Sequence, residues 1–117
     1  MIVYIAGKIS GDPGYKQKFE DTKRRIKEAI RIGSSTQQLY DFDVNYKAEP
    51  VVLNPAELPE GMTQADYMRI CWAMIDCADL VVFQPEWPES LGAGLEYTFC
   101  KYTGKPYITL PRSWRME

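Results

Sequence analysis

Four short runs of apolar residues fix what this chain can become: "IVYIA" at Ile2 to Ala6, "PVVLNP" around Val51 to Leu53, "DLVVF" ending at Phe83, and "KPYITL" ending at Leu110. Each is rich in β-branched residues and continuously apolar, where a half-exposed strand would alternate. Strands of this kind are buried on both faces. Between them lie stretches with helical spacing. From Lys16 to Ile32, Phe19, Ile26, Ala29 and Ile30 recur on one face, and Gly33 suits a helix stop. Thr63 or Asp66 can cap a second helix whose apolar stripe is Tyr67, Cys71, Met74, Ile75 and Ala78. A third helix is expected from about Leu91 to Tyr102, with Leu91, Leu95, Phe99 and Tyr102 facing inward and Gly104 ending it. The stretch "SSTQQLYDFDVNYKAE" has no clear period and reads as loop. Strands alternating with helices imply parallel strands joined by crossover helices. The expectation is therefore one α/β domain over residues 1–117. It should be a three-layer, flavodoxin-like or Rossmann-like parallel sheet of about four to five strands.

The 117 residues suffice for one core, and an apolar content of 45% lets it fold without staples. No apolar run is long enough to span a bilayer, and "MIVYIAGKIS" lacks the features of a signal peptide. The three cysteines, Cys71, Cys77 and Cys100, have no metal-like spacing and read as free thiols of a cytoplasmic protein. No metal or other cofactor is called for. A net charge of −2 argues against nucleic acid as a partner, and "KRRIKEAIR" reads as the solvated face of a helix. With no histidine in the chain, acid–base chemistry falls to Asp, Glu, Tyr, Cys or Lys.

In parallel α/β sheets, ligands bind beyond the carboxyl ends of the strands. Three segments meet there: "GKISGD", "LNPAEL" and "FQPEWPESLGAGLE". In the last, Ser90 sits where an N-cap belongs, and Gly92 and Gly94 fall in the first turn of the third helix. Glycines there allow a ligand to touch the backbone, and the helix dipole favours an anion. Glu96 follows one turn later as a candidate nucleophile or general base. The plainer alternative is close helix–sheet packing for the glycines and a surface role for Glu96. In the first loop, Lys8 and Ser10 between Gly7 and Gly11 also suit an anion, although the spacing is neither a dinucleotide fingerprint nor a P-loop.

"VYIAGKISG", followed by "CADLVVF", "SLGAGLE" and "TGKPYI", resembles the nucleoside 2-deoxyribosyltransferase superfamily. The likeness is closest to its branch of 2′-deoxynucleoside 5′-monophosphate N-glycosidases and to a small bacterial and phage branch. The resemblance implies cleavage of an N-glycosidic bond, with Glu96 as nucleophile and Tyr4 orienting it. It implies phosphate contacts from Ser90 and from the polar first loop, through Lys8 and Ser10. It also implies a homo-oligomer, a dimer or larger; the lack of a long apolar run argues against a membrane partner. One position departs from the family pattern. The aspartate that assists departure of the base aligns with Cys71, and Asp66 is the nearest substitute. Trp87, just before Ser90, and Asn54 are further candidates for contact with a base. Three readings follow. The favoured one is a nucleoside or nucleotide N-glycosidase or deoxyribosyltransferase. The alternative is a nucleotide-binding module with weak or no catalysis. A flavin carrier is disfavoured, because "GKISGD" has only one hydroxyl residue.

Overall fold

The computed structural model describes residues 1–31 and 50–116. The expected loop "SSTQQLYDFDVNYKAE" and the Gly33 helix stop lie outside the described residues. Four strands, β1 (Ile2–Ala6), β2 (Val51–Leu53), β3 (Leu80–Phe83) and β4 (Tyr107–Thr109), form one sheet in the order β2-β1-β3-β4. All neighbouring pairs are parallel, with Tyr4 in register with Leu53 on one side and Val81 on the other. Chain direction thus switches sides between β1 and β3, and a crevice opens at their carboxyl ends.

Helices α1 (Tyr15–Arg31), α2 (Gln64–Cys77) and α3 (Leu91–Thr103) supply the crossovers. Strand alternation divides the core in two. Val3, Ile5, Leu80 and Val82 pack on the α1 side against Phe19, Ile26 and Ile30. Tyr4, Ala6, Val81 and Phe83 pack on the other side against Cys71 and Ile75 of α2 and Cys100 of α3. Each large side chain buried this way contributes roughly 1.5–3 kcal/mol. Tyr4 therefore faces the α2–α3 layer from the middle of β1.

Caps fix the helix starts. Thr63 and Asp66 form a reciprocal capping box at α2, using both of the expected cap candidates. Ser90 caps α3, its Oγ accepting from the Ala93 amide at 3.1 Å. At the far end of α3, Gly104 adopts φ 76°, the left-handed conformation that closes a helix.

The facing of α3 corrects the expected pattern. Leu91, Leu95 and Tyr102 are 84%, 47% and 91% exposed, whereas Ala93, Glu96 and Cys100 are buried. Nearly every position of "LGAGLEYTFCKY" is apolar or small, so two stripes compete for the sheet. The one with small residues faces the sheet, beside Tyr97, whose ring packs among Phe83, Trp87 and Tyr107 at 4.3–5.5 Å.

The C-terminal 3-10 turn (Arg112–Met116) closes the α1 side. Trp114 is buried there, and Arg25 stacks on its ring at 3.6 Å. Arg115 grips both oxygens of Glu86 at 2.9 and 2.8 Å and Gln84 Oε1 at 2.7 Å. Gln84 Oε1 also accepts from Thr22 at 2.7 Å. Gly7 lies against this fixed amide. A Cβ there would stand 2.6 Å from Gln84 Nε2 and 3.2 Å from Phe19 Cζ. No helix among the described residues is long and apolar enough to cross a membrane.

Candidate active site

A pocket of about 650 Å³ occupies the crevice at the carboxyl ends of β1 and β3. Its floor is Tyr4 and Glu96. Glu96 is only 6% exposed, and Tyr4 Oη donates to its Oε2 at 2.5 Å. The fold places them together for separate reasons. Tyr4 is the strand residue that alternation turns toward α3, and Glu96 falls on the small-residue face of α3 that meets the sheet. Burial raises the Glu96 carboxyl to about 7, against the pull of the Tyr4 hydrogen bond, which lowers it. Burial, with Glu96 close by, holds the Tyr4 hydroxyl well above its ordinary value. The structure thus offers one carboxylate that can change its proton near neutral pH, fixed by one neutral donor.

The walls come from four segments. The loop after β1 gives Gly7, Ile9 and Ser10, the 3-10 turn after β2 gives Pro55, and the start of α3, with Glu89 before it, gives Ser90, Leu91, Gly92, Ala93 and Leu95. The first two turns of α2 give Gln64, Ala65, Tyr67, Met68 and Cys71. Gln64, Met68 and Cys71 continue the stripe that further along α2 packs on the sheet. Because α2 begins beyond the strand ends, its first turns face the crevice. Of the α2 lining, the sequence points only to Cys71, through the family resemblance; Gln64, Ala65, Tyr67 and Met68 carry no such signal, and Tyr67 reads as core. Burial pushes the Cys71 thiol up to about 11, so it stays protonated and is a poor nucleophile. All three cysteines are free thiols. Among the described residues no His, Cys, Asp and Glu side chains cluster closely enough to hold a metal ion.

The residues expected at an anion cradle divide. Gly7, Ser10, Ser90 and Gly92 line the pocket, and Lys8, Gly11 and Gly94 do not. Gly11 is needed for its φ of 78° in a loop that Asp12 pins by accepting from the Gly14 amide and Lys18. Gly7 is explained by its contact with Gln84. The two glycines of α3 are not explained by packing: a Cβ at Gly92 would meet nothing closer than Met68 Cε at 3.6 Å, and one at Gly94 nothing within 4 Å. Close helix–sheet packing is therefore not why they are glycine. Lys8 Nζ stands 4.0 Å from Glu89, at the pocket rim.

None of the expected base contacts, Trp87, Asn54 and Asp66, is among the residues that line the pocket. Trp87 stacks on Tyr97 at 4.3 Å and belongs to the aromatic packing under α3. Buried Asn54 caps the 3-10 turn Pro55–Glu57, accepting from the Ala56 amide at 2.9 Å. Asp66 takes part in the α2 capping box and pairs with Arg69 at 3.0 Å.

The profile of a family described as "Domain of unknown function (DUF4406)" matches residues 41–109, more than half of the chain. The chain belongs to this family. The DUF4406 match includes the pocket walls from α2 and α3, with Glu96, and excludes β1, with Tyr4. No curated protein and no solved structure matches the chain.

Proposed function

We propose that this protein cleaves the N-glycosidic bond of a 2′-deoxynucleoside or its 5′-monophosphate, or transfers the deoxyribosyl group, with Glu96 as nucleophile. The observation that carries this reading is a buried carboxylate, held by Tyr4 at 2.5 Å, on the floor of a pocket at the topological switch point. The likeness of "SLGAGLE" and "VYIAGKISG" to deoxyribosyltransferases supports it.

In this mechanism the pocket orients the sugar with its anomeric carbon over Glu96. A carboxylate oxygen attacks C1′, the glycosidic bond breaks, and its electron pair leaves with the base. Tyr4 keeps the attacking oxygen in line and stabilises its charge. Water or a second base then attacks C1′, and the carboxylate is released. The free amides at the start of α3, around Leu91 and Gly92, and the Ser10 hydroxyl supply neutral donors for the 5′ end.

A nucleotide-binding module without turnover is the second reading. Cys71 favours it, because a neutral thiol stands where the related enzymes carry an acid. Incubation with a panel of deoxynucleosides and their 5′-monophosphates, assayed for free base, decides between the two. Base release lost in Glu96→Gln is expected. Tight binding with no release selects the binding module.

The same proposal includes a cytoplasmic homo-oligomer, at least a dimer. Leu91 and Leu95 rim the pocket mouth and are exposed, and Trp72, stacked on Phe99 at 5.0 Å, extends the apolar surface across α2. A second copy on this face would cover both the surface and the pocket mouth.

A further inference from the structure

The pocket contains a nucleophile, but among the described residues that line it none is placed to help a leaving group depart. Purines and pyrimidines leave a sugar as anions unless a proton is supplied, which is why two carboxyl groups normally flank a glycosidic bond. Among the described residues that line this pocket, the only carboxyl groups are Glu96 and Glu89. Glu96 is the nucleophile. Glu89 is at the rim, 54% exposed beside Lys8, and stands before the first turn of α3 rather than at the buried end. The wall above Glu96 is Cys71, a thiol too weakly acidic to donate. Tyr4 is committed to Glu96, and the Tyr67 hydroxyl to the Pro59 carbonyl at 2.6 Å.

The charge of the lining points the same way. It holds two carboxyl groups and, among the described residues, no Lys or Arg. Lys8, outside the lining, stands against Glu89. Such a site attracts a cation and does little for a phosphate. With its hydroxyl tied back, Tyr67 offers a ligand its ring, and the Met68 thioether lies beside it; both are favourable neighbours for a flat cation.

Resting on the glycosidase reading above, we propose that the preferred substrate is an N-glycoside of a cationic pyridinium-type base at the nucleoside level, whose base departs neutral and needs no proton. The step balances without a further acid. A Glu96 oxygen bonds to C1′, the C1′–N bond breaks, and its electron pair neutralises the ring nitrogen. The negative carboxylate and positive glycoside become a neutral glycosyl ester and a neutral base. Water then attacks C1′, the ester C–O pair returns to Glu96, and the water's proton passes to solvent. The groups facing Glu96 are Tyr4 from β1, Cys71 from α2 and Cys100 from α3, and none of them is required to change its proton.

The test uses the full chain and five probes: nicotinamide riboside, nicotinamide mononucleotide, adenosine, adenosine 5′-monophosphate and 2′-deoxyadenosine. Free base is followed by chromatography, and release in the Glu96→Gln variant is subtracted. Nicotinamide release is expected to exceed adenine release at least tenfold, with the riboside cleaved at least as fast as the mononucleotide. Its rate should rise with pH to a plateau, with no fall on the alkaline side. Glu96-dependent adenine release equal to or faster than nicotinamide release would overturn the pyridinium assignment and leave the glycosidase reading standing. A clear preference for the mononucleotide would overturn the nucleoside-level assignment. No Glu96-dependent release from any probe or deoxynucleoside removes the glycosidase reading, and this inference with it.

Discussion

Tyr4 Oη and Glu96 Oε2 lie 2.5 Å apart although ninety-two positions separate them in the chain. The bond joins the central strand to the third crossover helix and lowers the carboxyl that burial has raised to about 7. Removing it in Tyr4→Phe leaves burial unopposed, so the Glu96 carboxyl should move further up. If turnover requires ionised Glu96, the pH–rate profile rises with its midpoint near neutrality, and Tyr4→Phe shifts that midpoint to higher pH. Above the new midpoint the rate should fall less than in Glu96→Gln, where about 10²-fold or more is expected. A Tyr4→Phe profile with an unmoved midpoint would show that the bond does not tune the carboxyl.

Glu96 should also weaken the fold. Its carboxyl is at about 7 when folded and at roughly 4.3 in an unfolded chain. Between these values the native state holds the extra proton, so stability falls as pH rises through that window and is flat above it. The difference corresponds to about 4 kcal/mol. Glu96→Gln, which is neutral throughout, should melt several degrees above wild type at pH 8 and close to it below pH 4. Parallel melting curves across that range would contradict the burial-driven shift.

The α/β class, the parallel sheet and three helices could be read in the sequence because continuous apolar strands leave few alternatives. Ser90, Gly104 and the Thr63–Asp66 box could be read because caps are local chemistry. The inner face of α3 could not. "LGAGLEYTFCKY" carries two apolar stripes, and only the folded packing, with Tyr97 among Phe83 and Tyr107, selects one. Glu96 and Tyr4 were found as a pair through motif resemblance, since no local signal links positions so far apart. Asn54, Asp66 and Trp87 look functional in sequence because polar and aromatic residues near strand ends often are. In the structure none of them lines the pocket: Asn54 and Asp66 take part in caps and Trp87 in ring packing. Nor does the sequence around Arg115 announce its role, because its partners Glu86 and Gln84 are far away in the chain and meet it only in the fold.

The outer face of α3 should mediate self-association. Leu95 is 47% exposed and Leu91 84%. Light scattering at micromolar concentration should give at least twice the chain mass of 13.5 kDa. Leu95→Glu places a charge in the middle of that face and should shift the mass toward the monomer with the melting temperature little changed. A wild-type monomer would remove the proposal.

Gly92 and Gly94 separate a ligand requirement from a folding requirement. Both sit in α3, where Ala is favoured over Gly by roughly 0.5–1 kcal/mol, and neither Cβ meets a closer neighbour than 3.6 Å. Gly92→Ala and Gly94→Ala should therefore each raise the melting temperature by a few degrees. Only Gly92 lines the pocket, where a methyl group would occupy the space in front of the free amides at the helix start. Ligand affinity, measured by calorimetry with whichever nucleoside or nucleotide the turnover panel selects, should fall about tenfold or more in Gly92→Ala and stay within about twofold in Gly94→Ala. Equal affinity in both variants would mean that no ligand approaches the α3 backbone. A loss of stability in both would mean that the glycines serve the fold after all.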